Sequence, residues 1–265
     1  MASLVTATLL GVVEGLTEFL PVSSTGHLIL AGHLLGFSGE KAATFEVAIQ
    51  LGAILAVVVI YAHRFRGLFL PDPRERFSGL RGLTLLALTS VPAALLGLFA
   101  HSTIKSLLFA PKPVAVALAV GAVLMIIVEA RTRRVRYSTL DELTPALALG
   151  VGLFQCLSLW PGFSRAAATI MGGMILGANR KLAAEYSFIA AVPIMIAATG
   201  YDLLKSWHLL QLSDLSFFAT GFVVSFVAAW LAVKGFIRLL ASMTLRPFAY
   251  YRLLLAPLVW LFWPS

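Results

Sequence analysis

Cysteine occurs once in these 265 residues, at Cys156. One thiol can form neither an intramolecular disulfide nor a multi-cysteine zinc site, so the fold needs another source of stability. Cys156 itself reads as a small apolar side chain within a helix. Charge is almost as scarce: Asp, Glu, Lys and Arg make up 12% of the chain, about half the share usual in soluble domains. Whole stretches carry none, over residues 47–63, 82–104, 113–128, 143–164, 186–201 and 215–233. Several approach the roughly 20 apolar residues that cross a bilayer as a helix. A separate soluble domain has no room here. The N-terminal MASLVTATLLGVVEG lacks a basic n-region, and the expectation is mature protein rather than a signal peptide.

The net charge of +8 does not point to nucleic acid, because the basic residues fall between the apolar segments. Six segments read as simple spans, about 45–62, 82–100, 113–130, 185–204, 215–233 and 247–263. Two further apolar stretches, about 1–35 and 143–176, are interrupted by Pro, Gly, Ser and charge. If each of these dips into the membrane and returns to its own side, the loops 63–81, 131–142, 177–184 and 234–246 share one face. They hold fourteen of the twenty Lys and Arg residues, against four in the opposite loops. That bias assigns the basic face to the cytoplasm. The expected fold is an all-α polytopic membrane protein, a single integral domain of six transmembrane helices plus two re-entrant helical hairpins.

The halves also resemble each other, about 1–135 against 140–265. EFLPVSSTGH (Glu18–His27) lies against SLWPGFSRAA (Ser158–Ala167) at a spacing of 140 residues, matching Pro21 to Pro161, Ser24 to Ser164 and Thr25 to Arg165. One hairpin followed by three spans places the second half upside down. Inverted-topology repeats with broken helices near the midplane are common in secondary transporters, so architecture alone leaves a transporter or flippase open.

The polar residues concentrate at the two breaks. Glu14 and Glu18 are one helical turn apart and project from one face. Pro21 ends that helix, and Ser23, Ser24 and Thr25 suit the cap of a returning one. Gly26 would allow close approach of a ligand or backbone. His27 follows Ser24 by three residues, close enough to act on it as base on nucleophile. In the second hairpin, PGFSR (Pro161–Arg165) repeats the break, with Ser164 as cap and Thr169 farther along. Helix N-termini attract anions, Arg forks onto phosphate oxygens, and a divalent cation would reconcile the two acids with such an anion. The cluster fits a phosphate-cleaving site at a broken helix. A serine–threonine turn is often only a cap, whereas intramembrane acids are costly and usually functional. Glu46 and Gln50 are candidates to support the site. His33, His63, His101 and His208 read as surface groups, Glu185 as interfacial, and Tyr250, Tyr251, Trp260 and Trp263 as an interfacial belt.

EGLTEFLPVSSTGH, and PGFSR followed by Thr169, resemble the two signature motifs of the bacterial undecaprenyl-diphosphate phosphatase family, also called the bacitracin-resistance protein family. The resemblance covers essentially the whole chain. It implies an inner-membrane enzyme that hydrolyses undecaprenyl diphosphate to undecaprenyl phosphate and inorganic phosphate, renewing the carrier for cell-wall polymers. It further implies dependence on magnesium or calcium and a homodimer; with the hairpin tips meeting, the site is expected to open toward the periplasmic side. Carried over, Glu14 and Glu18 form the acidic motif and would hold the metal. Ser24 is the nucleophile, His27 the acid/base, and Arg165 holds the diphosphate, with Ser23, Thr25, Ser164 and Thr169 as hydroxyl donors. Serine attack and direct attack by water both stay open. Ala166 and Ala167 stand where the family usually has Ser-Gly, which removes one hydroxyl.

Overall fold

The computed structural model describes residues 3–108, 110–132, 134–206, 211–240 and 242–263. His208 lies outside the described residues, as does the side chain of His101. Among the described residues the regular structure is helical, apart from one isolated bridge between Tyr137 and Ala178.

The first interrupted stretch folds as α1 (Leu4–Thr17) and α2 (Ser24–Leu34), and the second as α7 (Pro145–Gln155) and α8 (Arg165–Ile175). The uninterrupted stretches form α3 (Glu40–Ile60), α5 (Gly79–Leu108), α6 (Pro111–Arg131), α9 (Arg180–Ser206), α10 (Leu215–Leu239) and α11 (Arg246–Phe262). Five of these six are long and apolar enough to cross a membrane. The chain is a multi-pass membrane protein. α11, expected as a sixth span, is only 17 residues long and contains Pro257. The expected loop at 63–81 begins instead as a short helix, α4 (Ala62–Phe69).

In lipid the apolar effect does little to hold helices together, so small residues that let backbones approach do much of the work. Each hairpin's first helix shows this. Gly11 of α1 faces α10, where an added methyl would lie 2.7 Å from the Gly221 carbonyl. Gly152 of α7 faces α5, where it would lie 2.7 Å from the Thr89 carbonyl. α1 thus packs on α10 and α7 on α5, each hairpin leaning on a helix from the other half, while α3 packs against α9 and α6 against α11.

These contacts correct the sequence alignment by one residue. α2 and α8 are both 11 residues long, and each starts after a serine with positive φ, Ser23 (71°) and Ser164 (74°). Ser23 therefore corresponds to Ser164, Ser24 to Arg165, Pro21 to Gly162, Glu14 to Gln155 and Gly11 to Gly152. Thr25 does not match Arg165. A slip of this size is easily made, since apolar helices resemble one another at many offsets.

Candidate active site

The chain breaks differently from a simple proline stop. α1 ends at Thr17, and Glu18 keeps helical dihedrals with its N–H bonded to the Glu14 carbonyl at 2.9 Å. Both acids therefore stay one turn apart, and both are buried. The turn then passes through Ser23 with φ 71° and ψ 96°. A non-glycine residue held there costs about 1–3 kcal/mol, a strain that clusters at functional sites. Ser164 carries the same strain in the second hairpin. Its side chain caps α8 by accepting from the Ala167 N–H at 3.2 Å. Ser23 makes no such side-chain cap, so the first N–H groups of α2 are left for a ligand.

The two turns meet at a cavity of about 270 Å³ lined by Glu18, Ser23, Ser24, Thr25, Ser164 and Arg165, with Gln50, Gln155 and Ser158. Glu18 joins the halves. Its Oε2 accepts from the Ser24 hydroxyl at 2.6 Å, and its Oε1 accepts from Arg165 Nη2 at 3.2 Å. Arg165 Nη1 donates to the Ser187 carbonyl at 3.1 Å, whereas its buried Nε has no partner. An orphaned buried N–H of this kind is uncommon in a folded protein.

Several sequence expectations change here. His27 is not hydrogen-bonded to Ser24. Its Nδ1 donates to the Ser23 carbonyl at 2.7 Å, and its Nε2 lies 2.7 Å from the Tyr251 hydroxyl, with the two rings stacked. The carboxylate at Ser24 is Glu18. His27 instead lines a separate apolar groove of about 520 Å³ with Leu16, Leu20, Phe248 and Tyr251. Tyr251 is therefore a partner of His27 rather than only part of an aromatic belt.

Gly26 packs toward helices, since a methyl there would lie 3.4 Å from Leu118 of α6. Thr169 reaches the site indirectly. Its hydroxyl is 2.6 Å from Ser187 Oγ and donates to the Arg165 carbonyl at 2.8 Å, so it fixes the residues that hold Arg165. Ala166 and Ala167 are fully buried and do not line the cavity, so the departure at these positions falls behind the site. Gln50 lines the cavity and Glu46 does not. His33 is exposed, and His63 pairs with Glu75 at 2.9 Å.

Neither Ser187 nor the role of Arg252 had any signal in the sequence. Arg252 is fully buried in α11. One terminal nitrogen donates to the Pro21 carbonyl at 3.4 Å. The other donates to Gly162 at 3.1 Å and Ala117 at 3.2 Å. Pro21 and Gly162 are the equivalent positions of the two turns. A broken helix in a membrane leaves carbonyls that water cannot reach, and one guanidinium supplies donors to both breaks.

Among the described residues no group of three His, Cys, Asp or Glu side chains converges as a ready metal cage. Both oxygens of buried Glu14, however, lack any hydrogen-bond partner. A buried carboxylate so placed is unfavourable unless a cation or proton joins it. Of the two acids only Glu18 lines the cavity, and a hard cation held there by so few protein ligands would need phosphate oxygens and water to complete its shell.

A protein-family model described as "Bacitracin resistance protein BacA" matches residues 7–258. A curated protein named "Undecaprenyl-diphosphatase" from Nitratidesulfovibrio vulgaris (strain DP4) is 72% identical over 262 residues, covering 99% of both chains. One of the same name from Maridesulfovibrio salexigens is 70% identical, covering 99% of this chain and 100% of its own. "Undecaprenyl-diphosphatase 1" from Bacillus anthracis is 50% identical over 262 residues, covering 99% of each.

Proposed function

The chain belongs to the bacitracin resistance protein BacA family, and on that premise we propose how it works as an undecaprenyl-diphosphatase. The reaction cleaves undecaprenyl diphosphate to undecaprenyl phosphate and inorganic phosphate. The relatives carry an enzyme's name, and no observation favours the transporter or flippase reading. The observation that carries the site assignment is Glu18, shared between Ser24 and Arg165 across the two turns.

In the proposed mechanism the terminal phosphate sits at the open N-terminus of α2, against the Ser23, Ser24 and Thr25 end and beside the Arg165 guanidinium. Glu18 takes the Ser24 proton as Ser24 Oγ bonds to the terminal phosphorus. The bond from that phosphorus to the bridging oxygen breaks, and the lipid monophosphate leaves. Water then cleaves the phosphoserine and releases inorganic phosphate. With direct attack by water, Glu18 would take the water proton and Ser24 would only orient the phosphate. His27 acts at the rim, through Tyr251, rather than as the base for Ser24. Thr169 and Ser187 position Arg165, and Ser164 caps its helix.

Glu14, with Glu18, would hold a divalent cation, magnesium or calcium. When bound, that ion would offset the charge of the diphosphate beside the two acids. The apolar groove lined by Leu16, Leu20 and Phe248 is the kind of surface a prenyl chain requires.

The proposed architecture is six spans with two re-entrant hairpins in inverted repeats, in a bacterial inner membrane. The matching turns at Ser23 and Ser164 and the exchanged packing of α1 and α7 support it. The loop charges support a basic cytoplasmic face, and the site is proposed to open toward the periplasm. A homodimer is proposed on the family resemblance alone. The decisive experiment is phosphate release from undecaprenyl diphosphate by purified protein, with Glu18→Gln and Arg165→Ala beside it. Metal-dependent release lost in both variants supports a site made from both hairpins, while full activity in either removes that residue.

A further inference from the structure

A second cavity, of about 800 Å³, lies away from the active site where the C-terminal ends of α6 and α8 meet. Its wall is apolar, with Leu124, Ile127 and Leu176 among its residues. Its basic side is formed by Arg131, Arg134 and Arg136. No acidic side chain lines it, and none of the three guanidiniums pairs with a carboxylate among the described residues. Glu129, the acid nearest Arg131 in sequence, already binds Arg180 and the Leu245 N–H.

The basic side is fixed rather than a loose tail. The Arg136 N–H donates to the Gly177 carbonyl at 2.7 Å, and the Asn179 N–H donates to the Tyr137 carbonyl at 2.9 Å. The Arg136 stem also lies over Gly177, where a methyl would come within 3.3 Å of it. Ile127 and Ile175 beside the cavity are 39% and 49% exposed, so hydrocarbon can reach it from the bilayer. Three unpaired cations above an apolar wall at the end of a membrane span are complementary to a molecule with an anionic head and a hydrocarbon tail.

We propose that this cavity binds an anionic glycerophospholipid, its phosphate held by Arg131, Arg134 and Arg136 and an acyl chain lying against Leu124, Ile127 and Leu176. The site stands apart from the phosphatase reaction and does not depend on the proposed mechanism. It has one structural link to that centre: its wall includes Leu176 at the end of α8, the helix that Arg165 begins.

The test is native mass spectrometry of the delipidated full-length protein with phosphatidylglycerol, with phosphatidylcholine, and with phosphatidylglycerol plus excess inorganic phosphate. Wild type is compared with R131Q/R134Q/R136Q and with R66Q/R74Q/R76Q, which removes the same charge from the same face outside the cavity. Circular dichroism checks the helix content of each, and the single Arg134→Gln variant gives the same comparison should the triple variant fold poorly. Phosphatidylglycerol is expected to be retained over phosphatidylcholine, with retention falling roughly fivefold for each cavity arginine removed. The R66Q/R74Q/R76Q variant and added phosphate are expected to leave it unchanged. Equal loss in both triple variants would reduce the effect to general surface charge and overturn the site. Displacement by inorganic phosphate would make it a free-phosphate site instead, and unchanged retention in the cavity variants would also overturn the proposal.

Discussion

Ser24 donates its hydroxyl proton to Glu18 at 2.6 Å, while the same carboxylate accepts from Arg165 of the other hairpin. A carboxylate with one oxygen on the proposed nucleophile and the other on the proposed phosphate anchor would have both halves of the reaction within reach. Glu18→Gln keeps the shape but removes the base, and is expected to lower phosphate release by about 10²–10⁴-fold. Ser24→Ala is expected to fall as far, and rapid acid quenching with a terminally radiolabelled diphosphate is expected to trap a phosphoprotein in wild type. No labelled protein under conditions of full turnover would favour direct attack by water.

Arg165 has two duties, and substitution separates them. Arg165→Ala leaves the buried Glu18 charge without its partner, a change that typically costs about 3–5 kcal/mol; both thermal stability and activity are expected to drop. Arg165→Lys restores the charge but not the fork. It is expected to recover most of the stability while KM for the diphosphate stays raised, measured by thermal unfolding and steady-state phosphate release.

His27 offers a direct check of the correction above. With both ring nitrogens engaged away from Ser24, His27→Ala is expected to cost no more than roughly tenfold in turnover, well short of loss of a general base. Tyr251→Phe is expected to act in the same direction, more weakly. A His27→Ala loss as deep as that of Glu18→Gln would restore His27 to the chemical step.

Glu14 has two buried oxygens with no partner. Glu14→Gln is expected to raise the magnesium or calcium concentration needed for half-maximal phosphate release, and chelator is expected to abolish release in wild type. The same variant is expected to unfold at a higher temperature in the absence of metal, because the amide needs neither proton nor cation in order to be buried.

Arg252→Met deletes the donors shared by both turns. Each carbonyl left without a partner costs about 1–3 kcal/mol, so a lowered unfolding temperature is expected together with a fall in kcat. Arg252→Lys can reach fewer of the three carbonyls and is expected to be intermediate in both measurements.

The helices and their breaks were legible because Pro, Gly and Ser interrupt otherwise continuous apolar runs, and a chain in lipid has few ways to use such residues. Glu14, Glu18 and Arg165 stood out in the sequence because ionised groups rarely enter a membrane without purpose, and Glu18 and Arg165 do meet at one cavity, which Glu14 does not line. The partner of Ser24 was not. Spacing placed His27 near it, but the ring's direction is set by Tyr251, far along the chain. Arg252 drew no assignment from the sequence, since nothing in its neighbours reveals which carbonyls lie above it. Ser187 and Thr169 form a pair only once α8 and α9 have packed.

Arg252 breaks the likeness between the two turns at the point where they meet. Its guanidinium reaches the carbonyls of Pro21 and Gly162, which hold equivalent places in those turns, yet it is delivered by α11 alone. One half of the chain thus supplies the donors on which both breaks rest, so whatever displaces α11 disturbs the two turns together rather than one at a time.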